Sequence, residues 1–191
     1  MKAAEVLRAY RQGYFPMGDE DGRIRFYCYN PRAILPLDQF HVPSRMAREL
    51  RKAAFEIRFN SDFEGVIRGC SERSSTWIHK DIIRVYLELY AQGHAHSVEA
   101  WRDGKLAGGL YGLGLGGAFC GESMFHRVPS ASKAAIVALV GRLQERGYGL
   151  LDCQSPTEHT QRFGTVMIPI EQYLQRLQKV TAWPCTFVDK A

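Results

Sequence analysis

Between His79 and Gly93 the apolar residues recur at helical spacing. Ile82, Ile83, Tyr86, Leu87 and Tyr90 gather on one side, and Gly93 closes the segment. The same pattern predicts a short helix over residues 3–12, stopped by Gly13, and a helix SRMARELRKAA with Ser44 as its N-cap. SDFEGVIRGC reads as a helix capped by Ser61, Ser132 to Gly147 as a long helix, and EQYLQRLQK as a last one. Alternating or continuous apolar runs predict strands at RIRFYCY, FEIRFN, AFCGESMF and YGLLDCQ, with CTFV as a final strand. HSVEAW and KLAGGLYGL form two further strands, joined through Arg-Asp-Gly-Lys, a strong hairpin signal.

Helix, hairpin, strand, helix, strand is the order of a GNAT-like acyltransferase core, so the expected fold is α/β (α+β). Pro31, Pro36 and Pro43 interrupt the earlier chain. Residues 1–43 are therefore expected to form a small N-terminal lobe, and 44–191 the GNAT-like catalytic domain. No internal repeat or low-complexity tract is present.

Composition narrows the class. Hydrophobic residues make up 46% and charged residues 24%, a globular balance. No apolar run approaches the ~18 residues of a membrane span, and the charged N-terminus is no signal peptide, so a cytoplasmic location is expected. Five cysteines without a CxxC pair or clustered histidines read as free thiols and argue against zinc. His94 and His96 share a strand face but lack a third ligand. The net charge is +5, and twelve basic residues fall between Arg23 and Arg84, a surplus suited to a phosphate backbone. A merely well-solvated surface explains it equally.

Three segments could carry chemistry. Gly109 to Gly117, GLYGLGLGG, leads into a strand rather than a helix and is not followed by Gly-Lys-Ser/Thr. It reads as close backbone approach between strands, not a Rossmann or P-loop. In LLDCQ, alternation places Asp152 and Gln154 on one face of a buried strand end, where both either cap backbone or line a site. Glu122 lies between Cys120 and Met124, an expensive place for an unpaired charge, so it must pair, face water or work. Trp77 is either a core plug or a base platform. Ser123 lacks a GxSxG elbow and Cys153 lacks a histidine at a signature spacing.

In order along the chain stand YRQGYFPM, YNPRAILPL, TWI, GHAHSVEAW, GGLYG, FCGESMF, ASKAA and LLDCQ…EHT…FG. This series closely resembles the leucyl/phenylalanyl-tRNA–protein transferases over about residues 5 to 175. The resemblance implies a GNAT-like enzyme without cofactor or metal. Its donor is aminoacyl-tRNA (Leu-tRNA or Phe-tRNA, with Met as a further amino acid). Its acceptors are proteins with N-terminal Arg or Lys, which then enter N-degron degradation. By matched position, Asp152 and Gln154 correspond to the catalytic pair and Glu122 to a site-lining acid. Trp77, Phe26 and Tyr27 correspond to aromatics that hold the 3′-terminal adenosine. Leu110, Phe119, Ile136, Leu139 and Leu151 correspond to walls of the aminoacyl side-chain pocket.

Some positions depart from the family pattern. Phe26-Tyr27 replaces a tandem Trp, and Thr157 stands where Asn is common. Leu139 replaces an aromatic wall and Leu110 a Met, which predicts a wider pocket. A further N-terminal segment, ending in a Gly-Gly-Asp-like turn, is expected ahead of the first helix in this family, so the lobe for the tRNA end is expected to be trimmed. A monomer is expected, as no heptad or large apolar stripe appears. Two other readings compete: an acyltransferase with a different donor on the same core, and a catalytically inert tRNA- or N-terminus-binding module.

Overall fold

The computed structural model describes residues 1–19, 21–72 and 76–188. Helix α1 (Ala3–Arg11) leads into a two-stranded hairpin of β1 (Phe15–Gly18) and β2 (Ile24–Tyr27). Next come β3 (Arg32–Leu35), α2 (Ser44–Ala53), β4 (Glu56–Phe59), α3 (Phe63–Ser71) and α4 (Lys80–Ala91). The chain continues through β5 (Ala95–Arg102), β6 (Lys105–Leu115), β7 (Ala118–His126), α5 (Ala131–Glu145) and β8 (Leu150–Gln154). It ends with α6 (Glu158–Gln161), β9 (Val166–Ile168) and α7 (Ile170–Thr181).

Seven strands form one sheet in the order β4-β5-β6-β7-β8-β3-β9. Every neighbouring pair is antiparallel except β7 and β8, which run parallel and are joined through α5. The fold is thus mixed α/β, as expected. Alternation along the strands feeds a core on each face. Tyr111, Cys120 and Leu150 join α1, α3, α4 and α7 on one side. Leu110, Phe119 and Leu151 join α5 on the other.

The hairpin signal is realised: Asp103 and Gly104 both have positive φ, 52° and 70°, between β5 and β6, as a tight primed turn requires. The glycine run lies in β6 and its turn. A Cβ on Gly112 would come within 2.4 Å of both the Phe119 ring and the Cys120 carbonyl. Close packing is the reason for that glycine.

Several local expectations change. Ser44 is the first helical residue of α2, and Pro43 in the cap position supplies no side-chain bond. The cap of α3 is Asp62 rather than Ser61, accepting from Gly65 N. Cys185–Val188 forms no strand. Phe187 instead turns inward, stacked on His96 at 4.6 Å and Phe119 at 5.4 Å. Three strands went unforeseen, β1, β3 and β9. Strand β3 is buried at every position, lies between β8 and β9, and belongs to the stretch assigned to the small lobe. Tyr10 of α1 and Phe15 of β1 sit in the same core cluster as α3 and α4.

Candidate active site

The site forms where the two parallel strands separate. Their pairing runs Ala118–Leu150, Phe119–Leu151 and Cys120–Asp152 and then stops. Beyond that point β7 carries Glu122 and β8 ends at Gln154. Gln154 turns into the left-handed region at φ 60°, which breaks strict alternation and redirects its side chain. Its amide Nε2 donates to Glu122 Oε1 at 3.2 Å and to the Gly121 carbonyl at 3.4 Å. The sequence pair Asp152 and Gln154 is therefore split in environment, and Gln154 joins Glu122.

Asp152 is fully buried. Arg32 donates from Nε to Oδ1 at 2.9 Å and from Nη2 to Oδ2 at 2.6 Å. Tyr173 OH donates to Oδ2 and the Gln154 backbone N–H to Oδ1, both at 2.8 Å. Both oxygens are thus committed, and Asp152 lines neither cavity of the site. Its contact with Gln154 is through the backbone N–H. Burial alone would lower the affinity of Arg32 for its proton, but Asp152 outweighs that and holds the guanidinium charged. Arg32 is also sandwiched between the rings of Phe15 and Tyr173, at 4.8 and 4.7 Å. Sequence reasoning missed this residue; its one signal was an arginine opening an apolar stretch between two prolines.

Glu122 is held from the other side. Tyr10 OH donates to its Oε1 at 2.5 Å, and the Tyr86 hydroxyl lies 2.6 Å from that of Tyr10. Since Tyr10 gives its only hydroxyl proton to Glu122, Tyr86 donates to Tyr10. Burial pushes the Glu122 carboxyl up to about 7, against the hydrogen bonds from Tyr10 and Gln154 that favour the charged form. Its Oε2 is buried with no hydrogen-bond partner among the described residues. The two tyrosines are raised well above the ordinary phenol range, first by burial and then by the charge of Glu122, so both remain neutral donors.

Two cavities meet at Glu122. An open cleft of about 700 Å³ is lined by Met17, Tyr29 and Trp77 together with His126, Arg127 and His159. A smaller apolar pocket of about 110 Å³ shares Glu122, Ser123, Met124, Cys153 and Thr157 with it. Leu110, Ile136, Leu139 and Leu151 line this pocket. Phe119 does not; it is wholly buried on the same core face. Trp77 is at once packed on the core and open to the cleft. Tyr29, just after β2, shares the cleft lining with Trp77, whereas Phe26 lines a separate hollow with Tyr14 and α1, and Tyr27 lines neither cavity of the site.

Nucleophilic chemistry by Cys153 is disfavoured, since burial pushes its thiol up to about 12. All five cysteines are free, and no three His, Cys, Asp or Glu side chains among the described residues converge as a metal site. His96 is pushed down to about 4 by burial and is neutral, with Nδ1 3.0 Å from Asn60 Nδ2. No helix of the described residues is long and apolar enough to cross a membrane.

The basic surplus is partly spent. Arg32 is buried, and Arg25, Arg45, Arg58, Arg68 and Arg84 pair with Asp19, Glu49, Glu56, Glu64 and Asp81. Arg73 lies outside the described residues.

Comparison with known proteins bears on this arrangement. The family model described as "Leucyl/phenylalanyl-tRNA protein transferase" matches residues 34–178, and that of its N-terminal domain matches residues 2–28. The leucyl/phenylalanyl-tRNA–protein transferase of Rubrobacter xylanophilus is 53% identical over 91% of this chain and 92% of its own. That of Gloeobacter violaceus is 52% identical over 95% of each. The Chlorobaculum tepidum relative is 46% identical over 98% of this chain and 100% of its own. Among solved structures, L-PGS from Bacillus licheniformis aligns at TM-score 0.45 and 13% identity, over 81% of this chain and 51% of that one. On the family match and these identities, this chain belongs to the leucyl/phenylalanyl-tRNA protein transferase family and is an aminoacyltransferase.

Proposed function

We propose that this enzyme moves Leu or Phe, with Met as a further donor amino acid, from aminoacyl-tRNA to the N-terminal Arg or Lys of an acceptor protein. In this reading the new N-terminus marks the acceptor for N-degron degradation, and a monomer works in the cytoplasm without a cofactor. The observation that carries the reading is the junction at Glu122 of an apolar pocket sized for one side chain with an open polar cleft. The pocket takes the aminoacyl side chain. The cleft takes the terminal adenosine against Trp77 and Tyr29 and admits the acceptor. The separation of parallel β7 and β8 at this point supports a GNAT-like description of the core.

The reaction joins the acceptor nitrogen to the aminoacyl carbonyl carbon and breaks the ester bond to the ribose, whose oxygen takes up a proton. A free α-amino group has a pKa near 8 and is mostly protonated at neutral pH. Glu122, with a pKa of about 7, is matched closely enough to accept the proton of the attacking amine. Gln154 is a neutral amide and a poor base, so its role is to hold Glu122 and the reactants in line. Alignment of this kind is worth several kcal/mol, up to ~7–11 in ideal cases. Glu122 on the cleft wall favours a cationic acceptor when ionised.

The test is transfer of radiolabelled leucine from Leu-tRNA to a protein beginning with Arg, beside the same protein beginning with Gly. Label only in the Arg protein is expected. No transfer from Leu-, Phe- or Met-tRNA overturns the donor assignment.

A further inference from the structure

His94 and His96 gather no metal-binding set, but His96 faces a second cavity. This hollow, of about 670 Å³, lies where β5 begins and β6 ends, against the segment Cys185–Val188. It shares no lining residue with the cleft or the apolar pocket at Glu122. His96 is only 6% exposed, and its hydrogen bonds fix its proton. Asn60 Oδ1 accepts from the Ser97 backbone N–H at 2.9 Å, which sets the orientation of that amide. Asn60 Nδ2 therefore donates to His96 Nδ1 at 3.0 Å. Burial, with His94 adding to it, keeps the ring neutral. With Nδ1 as the acceptor, the one proton of the neutral ring sits on Nε2. That N–H has no hydrogen-bond partner among the described residues, and neither has the Tyr148 hydroxyl. Both face the space over Gly114: a Cβ built there would lie 3.5 Å from His96 Nε2 and 3.6 Å from Tyr148 OH. The glycine leaves a pit with two converging donors, in a hollow of the size that takes small molecules. Phe187, stacked on His96 at 4.6 Å, and Tyr90 give it aromatic walls.

We infer that this pit binds the carboxylate of a small aromatic acid, held by His96 Nε2–H and the Tyr148 hydroxyl, with the ring of the acid against Phe187 and Tyr90. Nε2–H can only donate, so the partner must bring an acceptor. A carboxylate brings two oxygens, one for each donor, and hydrogen bonds to an ionised acceptor are the stronger kind. No Asp or Glu lines the hollow to repel it. An amine would meet a donor where it needs an acceptor. Nothing in this site depends on which donor the enzyme uses.

The experiment is an NMR titration of the protein carrying isotope-labelled histidine, following the His96 Nε2–H resonance as benzoate is added. Benzamide runs beside it; it keeps the ring and one carbonyl but lacks the charge and the second acceptor. Benzoate is expected to shift the resonance saturably, and benzamide to bind about tenfold more weakly. Gly114→Ala fills the pit while making only ordinary contacts, 3.4 Å or more from its neighbours. It should weaken benzoate about tenfold, as should Tyr148→Phe, which removes the second donor. Both variants should still transfer leucine, since neither residue lines the cavities at Glu122. Benzoate that leaves His96 unmoved, or that binds both variants as it binds wild type, overturns the pit and leaves the transferase reading intact. Equal affinity for benzamide and benzoate overturns the carboxylate.

Discussion

Arg32 and Asp152, 120 residues apart in the chain, make a two-pronged ion pair with both side chains wholly buried. The pair ties β3 to β8, and the same carboxylate holds the Gln154 backbone at the edge of the site. Desolvating two charges is costly, and the arrangement survives because the Asp152 oxygens also accept from Tyr173 and Gln154 while Arg32 donates to the Gly13 carbonyl. Stability and site geometry therefore depend on one pair.

Removing either partner strands the other charge. Arg32→Met and Asp152→Ala are each expected to lose about 3–5 kcal/mol, read as a lowered denaturant midpoint. Arg32→Met/Asp152→Ala should cost less than the two single changes added together. Strict additivity would show that the pair is not coupled.

Tyr10→Phe removes a donor that favours the charged form of Glu122. The carboxyl should then rise above about 7, and the acid limb of transfer should move to higher pH by about one pH unit. Affinity for the RNA donor should be little affected. An unmoved pH profile in a folded variant would show that Glu122 does not accept the proton.

Glu122 also makes stability depend on pH. Its folded pKa, about 7, lies above its ordinary value of 4.5, so between those limits the folded chain retains a proton that the unfolded chain releases. Stability should fall as pH rises through that window, by roughly 1.4 kcal/mol for each step of one in pH. Glu122→Gln should remove this component and flatten the profile of melting temperature against pH. An unchanged slope contradicts the assignment.

Leu139→Phe adds bulk to the wall of a pocket of about 110 Å³. Donor preference should shift from Phe toward smaller side chains, with donor competition as the measurement. An unaltered Leu/Phe ratio would place the aminoacyl side chain elsewhere.

Gly112→Ala directs a Cβ to 2.4 Å from both the Phe119 ring and the Cys120 carbonyl. A loss of about 1–3 kcal/mol is expected, read by chemical denaturation. A neutral effect would mean that both the ring and the β6–β7 backbone give way freely.

Local pattern was enough to read α4, α5, the β5–β6 hairpin and strand β7 from the sequence, because each is set by periodicity or turn chemistry within a few residues. Glu122 was legible as a charge in an apolar strand that had to be explained. Strand β3 was not: prolines on both sides hide its four residues, and its hydrogen-bond partners β8 and β9 come more than a hundred residues later. The partners of Glu122 and Asp152 were hidden for the same reason. Tyr10, Tyr86, Arg32 and Tyr173 have no local signature that marks them as polar groups of one site. The sequence by itself determined which residues could carry charge, fill a core or turn a chain. Only tertiary structure decided that Asp152 is consumed by Arg32 while Glu122 keeps a buried oxygen unpaired at the cleft, because burial and long-range pairing set what a carboxylate can do.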